Sequence, residues 1–208
     1  MKSGKKFFSA RNIAYLAILL ALVVVLQVFS GYFKIGATAF SLVLVPIVLG
    51  GMLLGIWAGT ILGLVFGVVV LVDAACGLDP FTMLLIQESP VFTVFLCLFK
   101  GGMAGFVSAL LFKVINKKNK YAAVFVAAFA APVVNTGIFV IGAFCGLKFI
   151  NSTFGALGVE VNGISPAYLV FVMCVGVNFF VELAINIVCA PALYTVDRVV
   201  EKRINARG

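Results

Sequence analysis

Three polar side chains lie inside segments of the chain that are otherwise apolar: Lys100, Asn135 and Asn178. A lysine ammonium can bind an anion, and each asparagine amide offers hydrogen-bond donors and an acceptor. Such groups are costly inside a membrane and usually face the interior of a helix bundle or a wet cavity. The three residues therefore indicate a binding site for a small polar molecule. Alternatively, Asn135 and Asn178 hydrogen-bond neighbouring helices and only hold the bundle together.

Glu182 adds a carboxylate to this set. Asn178, Glu182 and Asn186 are spaced four residues apart, which places them on one face of a helix. That face is expected to point away from lipid. Glu182 either contacts a ligand or pairs with Lys100, and the cost of burying a lone charge favours the pairing.

Two further segments are candidates for covering this site from outside. Asp79, Gln87 and Glu88 follow an apolar segment, and they either cap the site or belong to a solvated loop. Phe33, in an earlier loop, could form an apolar lid, although aromatic side chains also populate the membrane interface. Gln87, Glu88 and Phe33 are therefore candidate ligand contacts.

Motifs for reaction chemistry are absent from the sequence. It contains no His, no phosphate-binding GxxxxGK[ST] and no HExxH or GxSxG. The five cysteines show no CxxC spacing and suit small apolar positions in helices. We expect neither an enzyme nor a protein with a metal or cofactor of its own.

The composition predicts the elements that position these residues. Hydrophobic residues make up 64% of the 208 positions, charged residues 11%, and mean hydropathy is +1.25. Because a soluble domain carries roughly 25% charged residues, the outer face of this chain is expected to meet lipid. The net charge of +8 is clustered between apolar segments, which argues against a nucleic-acid partner.

Six apolar segments predict an all-α protein with six transmembrane helices, forming a single membrane domain over 1–208. The second segment is short for a span. Twelve of the fifteen Lys and Arg residues lie at the two ends or between the fourth and fifth segments, so both termini are predicted to be cytoplasmic in a plasma-membrane protein. Loops 31–40, 74–90 and 146–165 are then external. The predicted helices cover approximately 12–30, 38–54, 56–73, 90–115, 121–145 and 166–196.

This topology gives the polar residues a common depth. Lys100, Asn135 and Asn178 each lie ten to twelve residues from the predicted outer end of their helix. At a rise of 1.5 Å per residue, this places them about 15–18 Å below the outer surface. A ring of polar groups at one depth is what a pocket opening outward requires.

Small residues form a stripe on the first predicted helix. Ala10, Ala14, Ala17 and Ala21 share one face, and such faces allow another helix to approach closely. The stripe either packs inside this protein or docks an outside partner, and its position toward the cytoplasmic end makes a partner plausible.

The segments AYLAILLA, SLVLVPIVLGGMLLGIWAGTILGLVFG, APVVNTGIF and GVNFFVELAINIVCAPALY resemble the S component of an energy-coupling-factor (ECF) vitamin transporter. The resemblance extends over nearly the whole chain in size, helix count and order. It implies a six-helix subunit that binds a vitamin near the outer face and associates with a transmembrane coupling protein and two ATPases. These partners would use the ATP. The resemblance also implies that Ala14, Ala17 and Ala21 pack on the coupling protein.

The last of these segments is most similar to the pantothenate-type branch, while the amides of Asn135 and Asn178 would equally suit riboflavin. Lys100 favours an anionic vitamin, and folate, queuosine-precursor and lipoate carriers remain alternatives. Two other classes of protein compete with this interpretation: a membrane scaffold or assembly subunit, and a membrane-embedded enzyme. The enzyme would need paired carboxylates or His at the membrane surface, which the sequence does not offer.

Overall fold

The computed structural model describes residues 10–30, 32, 34–35, 38–39 and 42–205, with 34–35, 38–39 and 203–205 described by their backbone alone. Their regular structure is helical apart from one antiparallel ladder of two-residue strands, Lys34–Ile35 (β1) and Thr38–Ala39 (β2). The helices are α1 (Ala10–Ser30), α2 (Leu44–Leu54), α3 (Ile56–Ala75), α4 (Pro80–Glu88), α5 (Pro90–Ile115), α6 (Lys120–Cys145), α7 (Leu147–Ala156), α8 (Pro166–Tyr168), a π-helix (Leu169–Val175) and α9 (Asn178–Asn205).

Five of these helices, α1, α3, α5, α6 and α9, are long and apolar enough to cross a membrane. The prediction of an all-helical membrane protein is confirmed. The predicted second span is wrong at its start, because α2 begins at Leu44 and Thr38–Ala39 pairs with Lys34–Ile35 instead. With eleven residues, α2 is about 16 Å long, roughly half the hydrocarbon thickness of a bilayer.

Two predicted loops contain helices. Within 74–90, Asp79 caps α4 by accepting a hydrogen bond from the Thr82 backbone N–H, and Pro80 occupies the first turn. Proline suits that position because the first N–H groups of a helix have no partner within the helix. Within 146–165, α7 follows α6 directly after Gly146 and packs its apolar side chains against α4.

The predicted sixth helix is interrupted in its first half. Gly176 has φ 48° and ψ −140°, and a side chain there would approach the Val172 carbonyl oxygen to 2.9 Å. Glycine adopts this backbone conformation at little cost, whereas other residues rarely do. The segment 166–196 is therefore a short helical entry and π-helix followed by α9, which extends to Asn205.

The buried apolar side chains form two clusters. The larger cluster joins α1, α2, α3, α5, α6 and α9, and includes Leu44, Leu62 and Val124. The smaller cluster joins α4, α6, α7 and the π-helix, and includes Phe81, Ile150 and Leu169. Between these clusters, polar side chains line the cavities described next.

Candidate functional site

Two adjoining cavities lie between the helices, each with a volume of about 70 Å³. Four side chains line both cavities: Lys100 from α5, Asn135 and Phe139 from α6, and Glu182 from α9. Asn178 lines the second cavity as well. The structure thus brings together the three polar residues that the sequence analysis assigned to a common depth, and Glu182 lies with them.

Lys100 lies on the wall between the two cavities. Its Nζ atom is 5.3 Å from the centre of the Phe139 ring, a geometry in which the ring face attracts the ammonium. The ion pairs in the described part of the chain join Lys120 to Asp197 and Glu201, and Lys100 takes part in neither. The expected pairing of Lys100 with Glu182 is therefore not formed between these described residues.

The predicted polar face of α9 is buried. Asn178 and Glu182 are each 6% exposed and Asn186 is fully buried, as expected for a face that points away from lipid. The Asn186 side chain donates a hydrogen bond from Nδ2 to the Glu182 carbonyl oxygen at 2.9 Å. Glu182 lines the cavities, whereas Asn186 lies outside their linings and is bound to its own helix.

Asn135 is the polar residue whose environment points most directly to a ligand. Its side chain is 6% exposed, and its Oδ1 atom has no hydrogen-bond partner among the described residues. A buried acceptor without a partner costs roughly 1–3 kcal/mol. Because Asn135 lines both cavities, a molecule bound there could supply the missing donor.

The interruption of the sixth predicted helix lies at the second cavity. Cys174 and Val175 of the π-helix line it together with Asn178 and Phe179 of α9, and Gly176 lies between these pairs. In membrane proteins, broken helices are tolerated where their irregular backbone is buried in protein or lines a cavity. The break therefore positions the first turn of α9 at the cavity wall.

The residues predicted to cover the site from outside differ in whether they line a cavity. Asp79, Phe81, Thr82 and Leu85 line the first cavity from α4, so this helix covers it. Gln87 and Glu88 are exposed on the last turn of α4 and line neither cavity. Their side chains lie away from the first cavity because the last turn of α4 directs them outward. Phe33 lies outside the described residues.

Gln27 of α1 and Thr93 of α5 line the first cavity and were missed by the sequence analysis. Both are buried polar side chains within apolar helices. Gln27 lies three residues before the end of α1 and so does not meet the depth criterion used for Asn135, although its polar type within an apolar helix could have identified it. Thr93 was harder to identify. Its hydroxyl donates to the carbonyl oxygens of Leu85 and Ser89, and a threonine within a helix commonly bonds a backbone carbonyl in this way without any role in binding.

The alanine stripe of α1 lies on the outside of the bundle. Ala10, Ala14, Ala17 and Ala21 are all exposed, so the alternative that the stripe packs inside this protein is wrong for the described residues. Within the same part of the chain, His, Cys, Asp and Glu side chains form no group of three that could hold a metal ion.

Comparison with known proteins identifies the family to which this chain belongs. A comparison with curated protein sequences found no significant match. The family model for the substrate-specific component of ECF transporters matches residues 11–194. This match includes α3, α5 and α6 in full, nearly all of α1, the first part of α9 and every described residue of the two cavities. The chain accordingly belongs to the substrate-specific components of ECF transporters, which are multi-pass proteins of the cell membrane.

Proposed function

We propose that this chain captures a water-soluble vitamin or related micronutrient at the extracellular side and delivers it with an ATP-driven coupling module. Pantothenate is the first candidate ligand and riboflavin the second. The family supports a substrate-binding subunit of a transporter, as distinct from an enzyme. The observation that carries the proposal is the pair of cavities that share Lys100, Asn135, Phe139 and Glu182.

Side chains of the lining could bind a ligand that carries both an anionic group and hydrogen-bond donors. Lys100 is the cationic side chain among the described lining residues, whereas Asp79 and Glu182 are acidic and suit the donors. Asn135 Oδ1 is an acceptor without a described partner, and a ligand hydroxyl or amide N–H would satisfy it. Pantothenate carries a carboxylate, two hydroxyls and an amide, which matches both requirements.

The size of the cavities bears on the choice of ligand. Pockets for small molecules usually measure about 300–1,000 Å³, whereas each cavity here measures about 70 Å³. A vitamin must therefore occupy both cavities and move the side chains between them. Phe139 lines both and is the natural side chain to turn aside. The limited space favours pantothenate, which is smaller than riboflavin.

Native mass spectrometry of the detergent-purified protein tests this function. Incubation with pantothenate or riboflavin should give a complex of one ligand per chain, with pantothenate bound more tightly. A scaffold would show neither complex. In cells that express the coupling protein and the ATPases, uptake of the bound vitamin should also require this chain.

The proposed topology has six membrane crossings, with both termini in the cytoplasm. The five long helices and the short α2 and π-helix segments supply the apolar lengths, and the basic clusters supply the orientation. In a variant without native cysteines, an impermeant thiol reagent should label Asn162→Cys from outside and leave Asn119→Cys unlabelled. External labelling at position 119 would contradict this topology.

Coupling is proposed to use the alanine stripe, with Ala14, Ala17 and Ala21 contacting the coupling protein. Their exposure on the outside of α1 supports this role. Replacing Ala21 by Trp should abolish uptake and leave pantothenate affinity within about twofold, because bulk at a small-residue face blocks helix approach. Leu22→Trp, on the neighbouring side of the same helix, is the matched control and should retain most uptake. Loss of binding in Ala21→Trp would contradict a docking role.

A further inference from the structure

Gln27 brings a polar contact from α1 into the first cavity. It lines that cavity together with Lys100, Asn135 and Glu182, and its side chain is 7% exposed. The amide of a glutamine has donors and an acceptor and can therefore distinguish ligands by their hydrogen-bonding groups. At this position the amide lines the same cavity as the residues assigned to ligand binding.

Asp73 of α3 holds the Gln27 amide. Gln27 Nε2 donates a hydrogen bond to Asp73 Oδ2 at 3.1 Å, and Asp73 is 3% exposed. Asp73 does not line either cavity. The nitrogen side of the amide faces the Asp73 carboxyl group, whose oxygen accepts this hydrogen bond. This contact helps to orient the Gln27 amide with respect to the cavity.

Burying the Asp73 carboxyl group beside Gln27 costs free energy, and this cost suggests that the pair has a function. A carboxyl group buried in a membrane helix is expensive, and an ionisable residue in such a position is more often functional than structural. A single hydrogen bond to a neutral amide offsets only part of the cost of burying a charge. Apolar side chains at both positions would pack α1 against α3 without that cost.

We infer that Gln27 is a specificity-determining contact for the transported molecule and that Asp73 is a positioning residue acting through it. This inference rests on the proposed function, since it concerns the same ligand. It adds α1 and α3 to the elements that select the ligand. Because the alanine stripe lies on the same helix as Gln27, α1 then serves ligand selection on its buried side and partner docking on its exposed side.

A double-mutant cycle tests the inference with pantothenate and riboflavin as probes. The variants are Gln27→Met, which keeps the length of the side chain, Asp73→Asn, which keeps its shape, and the double variant. Each is purified in detergent, and its affinity and thermal unfolding are measured. Ser108→Ala is the control, because Ser108 is fully buried on α5, bonds the Gly105 carbonyl oxygen and lies outside both cavities.

Gln27→Met should lower affinity for the bound vitamin about tenfold or more, because a polar group of the ligand loses its partner. Asp73→Asn should lower affinity in the wild-type background and change it less than about twofold in the Gln27→Met background. That non-additivity is expected of a residue that acts only through its neighbour. Ser108→Ala should leave affinity unchanged.

Two results would overturn the inference while leaving the proposed function intact: wild-type affinity in Gln27→Met, or an equal effect of Asp73→Asn in both backgrounds. A purely structural pair would lower the unfolding temperature and leave affinity unchanged. If the wild-type protein binds neither vitamin, both proposed ligands are wrong, and the inference about their recognition falls with them. Should Asp73→Asn not fold, Gln27→Met alone decides whether Gln27 contacts the ligand.

Discussion

Two faces of α5 are built for different purposes. On one face, Gly101 and Gly105 pack backbone to backbone against Gly63 and Gly59 of α3. On another, Thr93, Cys97 and Lys100 line the cavities. The first face has no room for an added methyl group, whereas the second borders unfilled space.

The difference separates stability from binding along a single helix. In a bilayer, helices gain little from hydrophobic burial against each other, so close approach of their backbones carries much of the association. The glycine face provides that contact, and it can hold α5 rigid while its other face exchanges ligands. Substitutions on the glycine face should therefore act on stability, and substitutions on the cavity face should act on affinity.

The largest effect is expected at the glycine face. A Cβ atom at Gly63 would overlap the Gly101 carbonyl oxygen, and backbone cannot move aside as a side chain can. Overpacking of this kind costs about 1–3 kcal/mol and sometimes more. Gly63→Ala should lower the unfolding temperature of the detergent-purified protein by roughly 5–10 °C, as measured by thermal unfolding.

Gly137→Ala is the matched control, because a Cβ atom there meets nothing within 4 Å. Its unfolding temperature should stay the same or rise slightly, since alanine forms helix better than glycine. Equal destabilisation by both variants would show that the contact between α3 and α5 does not limit stability.

A smaller effect is expected on α4, which covers the first cavity. Thr82 is 8% exposed and lines that cavity, whereas Gln87 is exposed and does not. The Thr82 hydroxyl donates its proton to Asp79 Oδ2 and can still accept a hydrogen bond from a ligand. Thr82→Val should therefore lower pantothenate affinity about twofold to tenfold, the range for one neutral hydrogen bond. Gln87→Met and Glu88→Gln should leave it within about twofold. A larger loss of pantothenate affinity in Gln87→Met or Glu88→Gln would show that the end of α4 contacts the ligand.

The sequence was sufficient for the long helices and for the central polar residues. Lys100, Asn135 and Asn178 interrupt apolar helices, so their types and a common depth could be predicted together, and Glu182 followed from its spacing of four residues from Asn178. Both cavities include residues deduced in this way.

Other features depended on tertiary contacts that periodicity does not encode. The break at Gly176 resembles any glycine in an apolar helix until its φ and ψ are known. The helix α4 was hidden in a short amphiphilic segment, although Asp79 and Pro80 form a recognisable helix start. The contact of Gln27 with Asp73 joins residues 46 positions apart and could not be deduced from local spacing.

Titration of pantothenate into the wild-type protein and Asn135→Leu, with thermal unfolding of both ligand-free proteins, tests the central claim most directly. Asn135 Oδ1 is buried without a described partner, so an apolar side chain of similar size should leave the unfolding temperature unchanged or raise it. Affinity should fall about tenfold to a hundredfold, because the ligand loses its acceptor. Unchanged affinity together with a lower unfolding temperature would contradict the account and assign the amide to holding the bundle.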